Sequence, residues 1–277
     1  MLSPITVSNL SLAFALAALI AALAWKMAAL DNTGAIAATL LGAIVYGLGG
    51  LHWAILLIAF FASSSLLSFA FRDQKSKLTS TFAKGGRRDW AQVLANGGLG
   101  AVILILAALG IIPAPLAWLA FAASLATVTA DTWATELGVL SAADPRLINT
   151  WQPVPRGSSG AISLAGTSAS LMGASFITLL ASLLVPLLSP ITSFGLIALA
   201  GLLGSLTDSF LGATVQAIYF CPHCEKETER HPLHSCGTAT VQKRGWTWLN
   251  NDWVNFISSL FATAIALITA IALGLVA

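Results

Sequence analysis

Long apolar runs alternate with short polar interruptions along the whole chain. Runs of membrane-spanning length lie near residues 7–30, 34–50, 51–71, 97–113, 115–140, 160–186, 190–220 and 253–276. The pattern predicts an all-α polytopic membrane protein with about eight transmembrane helices, some short or broken where Pro and Gly interrupt the runs. The first run lacks the basic region, short apolar core and small-residue cleavage site of a secretory signal, so Leu10 to Leu30 reads as a retained span. One transmembrane domain over 1–277 is expected, with a basic loop at 72–97 and a Cys/His-bearing loop at 221–252.

Composition supports this reading: 57% of the residues are hydrophobic and only 9% are charged, far from soluble globular averages. Glycines such as Gly42, Gly173, Gly201, Gly204 and Gly212 suit closely packed membrane helices. All 13 Lys and Arg residues fall in alternate connections, after the first, third, fifth and seventh runs. The intervening connections, near 49–52, 113–115 and 186–190, are very short and uncharged. By the positive-inside rule the basic face is cytoplasmic and both termini lie on the opposite side.

Acidic residues inside apolar runs change the picture. Asp131 and Glu136 stand five residues apart in Ala130-Asp131-Thr132-Trp133-Ala134-Thr135-Glu136-Leu137-Gly138, Asp208 lies within the seventh run, and Asp252 opens the eighth. An unpartnered charge there costs several kcal/mol, so such residues are expected to bind something. Thr127, Asp131 and Thr135 share one helical face, as do Thr132 with Glu136, Asp208 with Gly212 and Gln216, and Asn251 with Asn255. Hard oxygen donors of this kind suit Mg²⁺ shared with substrate phosphates. Interhelical hydrogen bonds and ion pairs are the plainer alternative. Asp208 is expected deeper than the others, in a broken or bent span.

The basic loop carries Lys84-Gly85-Gly86-Arg87-Arg88, whose cations and flexible amides suit phosphate oxygens; anchoring to lipid headgroups explains the charges equally well. If the segment after it is helical, Arg88, Gln92 and Asn96 line one face entering the membrane. Arg156-Gly157-Ser158-Ser159-Gly160 is read as a Gly/Ser turn opening a span, with Arg156 a fork donor for phosphate. Cys221 and Cys224, with Cys236 and either His231 or His234, make a Cys₃His set expected to hold a structural Zn²⁺; a disulfide is disfavoured on a cytoplasmic face.

No G-x-x-x-x-G-K-[ST] loop, kinase catalytic loop, H-E-x-x-H or G-x-S-x-G elbow is present, and no nucleic-acid module is visible. Nothing in the pattern specifies an oligomer.

Taken together, Ala130 to Glu136, Pro155-Arg156-Gly157-Ser158-Ser159-Gly160, Asp208-Ser209-Phe210-Leu211-Gly212-Ala213 and Asn251-Asp252-Trp253-Val254-Asn255 resemble a known family. It is the membrane family typified by transmembrane protein 19 and the plant phytyl-phosphate kinase of tocopherol and phylloquinone synthesis, similar to the CTP-dependent phytol and dolichol kinases. The resemblance covers nearly the whole chain. It implies transfer of a phosphoryl group from a nucleoside triphosphate, CTP in particular, to a prenyl monophosphate, giving the diphosphate in a bacterial-type plasma or photosynthetic membrane. On that reading a subset of Asp131, Glu136, Asp208 and Asp252 holds Mg²⁺. Lys84, Arg87, Arg88 and Arg156 contact phosphates, and Gln92, Asn96, Asn251 and Asn255 orient them. Thr132, Gly157, Ser158, Ser159 and Ser209 complete the substrate contacts. The Cys/His loop is not shared by every branch of the family. A transporter using intramembrane carboxylates, and a cytidylyltransferase or pyrophosphatase acting on lipid phosphates, are the alternative functions.

Overall fold

The computed structural model describes residues 7–72, 86–141 and 143–275. Among the described residues, eight helices are long and apolar enough to cross a membrane. They are α1 (Val7–Lys26), α2 (Asn32–Gly49), α3 (Leu51–Ala70), α4 (Trp90–Ala108), α5 (Ala114–Gly138), α6 (Leu164–Leu184), α7 (Pro190–Thr214) and α8 (Asn251–Ala272). The integral membrane, mostly helical architecture expected from the apolar runs is thus observed.

Helix α5 is the axis of the bundle. Every residue from Ala117 to Ala130 is buried, and α3, α4, α6, α7 and α8 all pack against it. A helix apolar on all sides is stable only when neighbours cover it all round. Small residues bring those neighbours close. A side chain at Gly204 of α7 would overlap Thr127 of α5, so the glycine lets the two helices touch one turn before Asp208 and Asp131. At the opposite end, Trp53, Trp118 and Phe121 interlock, with Trp53 ring centroids 4.9 Å from Trp118 and 5.0 Å from Phe121. These three side chains are at most 3% exposed, and they close that end of the bundle.

Polar caps start the helices that begin at the other end. Asp31 accepts from the Gly34 amide at 2.7 Å, Ser163 from Gly166 at 3.1 Å and Asn250 from Trp253 at 3.2 Å. Asp89 and Gln92 form a reciprocal capping box, which starts α4 at Trp90 rather than near residue 97 as the apolar run suggests. One further boundary differs from the sequence reading. Helix α7 stops at Thr214, and the apolar residues after it form strand β3 (Ile218–Cys221), because a short apolar run fits a buried strand as well as a helix. The span of Asp208 is irregular, with a π-helical turn over Phe194–Ala198 at the far end of α7, while Asp208 itself sits in regular helix within two turns of Thr214.

Two small sheets lie in the connections. Strands β1 (Arg146–Leu147) and β2 (Ala161–Ile162) pair antiparallel and fold the α5–α6 loop back on itself. Strand β3 pairs antiparallel with β4 (Lys226–Thr228) and β5 (Val241–Arg244), making a three-stranded ribbon between α7 and α8.

Candidate functional site

The polar ends of six helices enclose a cavity of about 1040 Å³. Its walls come from the last residues of α3 and α5, the first turns of α4, α6 and α8, the second half of α7, the α5–α6 loop and the ribbon. Asp131, Glu136, Asp208 and Asp252 all line it, as do Arg88, Gln92, Asn96, Thr132, Arg156, Gly157, Ser158, Ser159, Ser209, Asn251 and Asn255. Residues from four separated stretches of sequence thus meet in one space. Arg87 is exposed and stands outside the lining. Lys84 lies outside the described residues.

The acidic side is built by α5, α7 and α8. Asp131 and Asp208 lie within electrostatic reach of each other, and Glu229 of the ribbon also acts on Asp208. Ser258 of α8 donates to Asp208 Oδ2 at 3.2 Å and to the Asn255 carbonyl at 3.0 Å, tying the two helices together. The Asn255 Oδ1 oxygen is buried and has no hydrogen bond among the described residues, although Asn255 lines the cavity. These carboxylates and the unsatisfied amide oxygen are donors of the kind a hard divalent cation takes.

Arg88 forms the basic wall. Its backbone is fixed by bonds from Arg88 N–H to the Ala29 carbonyl and from Asp31 N–H to the Arg88 carbonyl, both 3.0 Å, which lace the α3–α4 loop to the α1–α2 turn. Its guanidinium lies over the rings of Phe60 and Phe61, 5.6 and 5.1 Å from their centroids, and donates to Ser65 Oγ at 3.4 Å. Burial lowers its pKa to about 10, against the field of Glu136, so Arg88 stays cationic near neutral pH. Glu136 is itself buried and accepts a 2.6 Å hydrogen bond from Ser68.

The Gly/Ser turn departs from its expected form. It leads into β2, and Ser163 is the residue that caps α6. Ser159 Oγ donates to Gln216 Oε1 at 2.9 Å, and Ser158 Oγ donates to the Pro155 carbonyl at 2.7 Å. Gly160 adopts φ +81°, and the α7 backbone at Ala213 occupies the place a side chain would need. The turn is therefore clamped against the end of α7.

In the ribbon, the sulfurs of Cys221, Cys224 and Cys236 and a ring nitrogen of His234 all lie within 4.8 Å of one another. Cys221 Sγ is 3.6 Å from Cys236 Sγ, and His234 Nδ1 is 3.2 Å from the same sulfur. Tetrahedral zinc needs ligand atoms roughly 3.5 Å apart, so the cluster fits a metal ion. Hydrogen bonding with Thr238, then His234, lowers the Cys236 thiol to about 5, while sharing a hydrogen with Cys236 pushes Cys224 up to about 11. Of the two histidines left open by the spacing, His234 joins the cysteines. His231 turns away and stacks on Tyr219, with ring centroids 4.4 Å apart and planes 12° apart.

That the ribbon forms a wall of the cavity was not among the expectations from sequence. Gln216, Tyr219, Glu229, Arg230, His231 and Leu233 all face it. The Gln216 amide donates to Glu229 Oε1 at 2.8 Å while accepting from Ser159, which links ribbon, α7 end and Gly/Ser turn. The only available signal was the polar run Glu229-Arg230-His231 immediately before the second half of the cysteine cluster.

Comparison with known proteins agrees with this architecture. The family model described as integral membrane protein DUF92 matches residues 15–263. Protein PGR of Arabidopsis thaliana is 35% identical over 286 residues, covering 93% of this chain and 96% of its own length. A membrane protein of Methanocaldococcus jannaschii is 35% identical over 196 residues, covering 68% of this chain and 75% of its own. Protein VTE6, chloroplastic, of Arabidopsis thaliana is 27% identical over 242 residues, covering 86% of this chain and 65% of its own. No solved structure matches the chain.

Proposed function

The chain belongs to the DUF92 family of integral membrane proteins, and from that premise we propose that it is a phosphotransferase acting on an isoprenoid monophosphate. It passes the terminal phosphoryl group of a nucleoside triphosphate, CTP foremost, to phytyl or geranylgeranyl phosphate and releases the prenyl diphosphate. The observation that carries this reading is the cavity itself: carboxylates of α5, α7 and α8 face Arg88 and Arg156 at one end of the bundle. The motif resemblance to the phytyl-phosphate kinase family supports the substrate class.

Asp131, Asp208 and Asp252, with the Asn255 oxygen, would hold Mg²⁺. That ion would neutralise charge on the transferring phosphoryl group. An acceptor monophosphate is already largely ionised, its second pKa being about 6, so no strong general base is needed. One of its oxygens attacks the terminal phosphorus of the donor. The bond from that phosphorus to the bridging oxygen breaks, and the nucleoside diphosphate leaves with the electron pair. Arg88 and Arg156 would bind the phosphates, with Gln92, Asn96, Thr132, Gly157, Ser158, Ser159, Ser209 and Asn251 around them. Lys84 and Arg87 would add cationic charge for the phosphates. We assign Glu136 to holding Arg88 in place rather than to the metal, because Ser68 already engages it and it acts electrostatically on Arg88. Cys221, Cys224, His234 and Cys236 would bind structural Zn²⁺. The cavity would open to the cytoplasm, with both termini on the other side.

The closed end formed by Trp53, Trp118 and Phe121 favours a one-sided enzyme over a transporter. The test is incubation of detergent-solubilised protein with phytyl or geranylgeranyl phosphate, Mg²⁺ and each nucleoside triphosphate in turn. Prenyl diphosphate is the expected product; a CDP-lipid would instead mean cytidylyl transfer. Asp131→Asn is expected to lower turnover roughly 100-fold at unchanged expression. Near wild-type turnover would remove Asp131 from the site.

A further inference from the structure

We propose that the face of the ribbon turned toward the cavity is the nucleoside-binding wall, with His231 as the stacking platform for the base and Arg230 as a contact to the polyphosphate. The inference rests on the phosphotransferase reading and specifies where its donor sits. It follows from the fate of His231, whose sequence spacing made it one of two candidates for the fourth metal ligand.

The ring of His231 is excluded from the cysteine cluster, where His234 takes the fourth position. It lies flat on Tyr219, which is only 6% exposed. His231 is exposed and lines the cavity. One face of the imidazole is thus backed by a buried aromatic ring, and the other is left for a planar partner. The surroundings hold it in that pose. Thr240 Oγ1 lies 3.4 Å from His231 Nδ1 and donates at 3.0 Å to the carbonyl of Arg230 and at 3.2 Å to that of Pro232. A plain core histidine would not be exposed at a cavity wall on a buried aromatic backing.

Neighbouring chemistry selects the kind of planar partner. Arg230 lines the same cavity beside His231, its backbone amide held by Thr228 Oγ1 at 3.1 Å. A flat ring linked to a negatively charged chain satisfies both groups, and a nucleoside triphosphate is such a molecule. A prenyl phosphate offers only the anionic half. The volume of about 1040 Å³ accommodates a nucleotide beside a lipid headgroup. Stacking on an aromatic side chain is tolerant of base identity, so base preference must come from polar edges nearby. Glu229 and Gln216 are the cavity groups beside the platform able to supply them.

The test compares wild type, His231→Ala and His231→Phe by two measurements. The first is the KM for each substrate. The second is equilibrium binding of a nucleoside triphosphate carrying a fluorescent group on the ribose, which leaves the base free. His231→Ala is expected to weaken nucleotide binding and raise the nucleotide KM about 10-fold or more, leaving the prenyl-phosphate KM unchanged. His231→Phe is expected to restore most of the loss, as a histidine needed only for folding would not. Prenyl diphosphate formation with a nucleotide KM indifferent to His231→Ala overturns the inference while the phosphotransferase reading stands. His231-dependent nucleotide binding with no prenyl diphosphate supports the inference and overturns that reading. Metal content unchanged between wild type and His231→Ala is part of the expected result; loss of the metal would make His231 a ligand and overturn the platform.

Discussion

Two carboxylates held close together at a membrane edge repel each other unless a cation lies between them. Asp131 and Asp208 are in that position because Gly204 lets α7 close on Thr127 of α5 one turn away, and because Ser258 fixes the Asp208 carboxylate. If their purpose is to bind Mg²⁺, the metal-free protein carries a strain that neutralising one of them relieves. Asp208→Asn keeps the shape and can still accept from Ser258. In metal-free buffer it is expected to gain about 1 kcal/mol of stability, which for a chain of this size is a rise in Tm of about 2–4 °C. Millimolar Mg²⁺ should raise the Tm of wild type by ligand linkage and leave that of the variant unchanged. Thermal melts in detergent, with and without Mg²⁺, measure both effects. A variant that melts below wild type and still responds to Mg²⁺ would show that Asp208 is a structural hydrogen-bond acceptor.

The ribbon between α7 and α8 behaves as an element with its own determinant of order. Of its three strands only β3 buries apolar side chains, those of Ile218, Tyr219 and Cys221, and Cys221, Cys224, His234 and Cys236 gather at one end. A metal ion bound there would add order that so thin a layer of packing does not supply. Purified protein is therefore expected to contain one zinc per chain by elemental analysis, lost in His234→Ala and kept in His231→Ala; the reverse pattern would exchange the two histidines. This element also marks the limit of what the sequence disclosed. The eight spans were legible because about 20 consecutive apolar residues have few other uses. Asp131, Asp208 and Asp252 were legible because charge in such a run demands a reason. The start of α4 was hidden, since Trp90 to Asn96 is too polar to read as a span, although Asp89 and Gln92 are spaced as a capping box. Strand β3 was hidden because Ile218-Tyr219-Phe220 continues the apolar run of α7. Contacts between Gln216, Glu229 and Ser159 join residues far apart in the chain through tertiary packing, which no local pattern encodes.

On the scale of the whole molecule, the two ends of the bundle differ in every property that matters for sidedness. The cavity end carries the described Lys and Arg residues, the side-chain helix caps Asp31, Asp89, Ser163 and Asn250 against Ser189 alone among the described caps at the other end, and all the cysteines of the chain. The other end has short uncharged turns and the packed cluster of Trp53, Trp118 and Phe121. Loop cations set membrane orientation, so the cavity end should face the cytoplasm. Because Cys221, Cys224 and Cys236 all belong to that end, a membrane-impermeant thiol reagent added to intact cells should leave the wild-type protein unlabelled. Leu187→Cys, placed in the exposed turn between α6 and α7, should be labelled under the same conditions. Inverted vesicles should reverse access: Leu187→Cys becomes protected, the ribbon thiols become reactive once a chelator strips their metal, and nucleotide added outside supports turnover. Labelling of the native cysteines in intact cells would invert the molecule and put the phosphate site outside, where no nucleoside triphosphate pool would serve it.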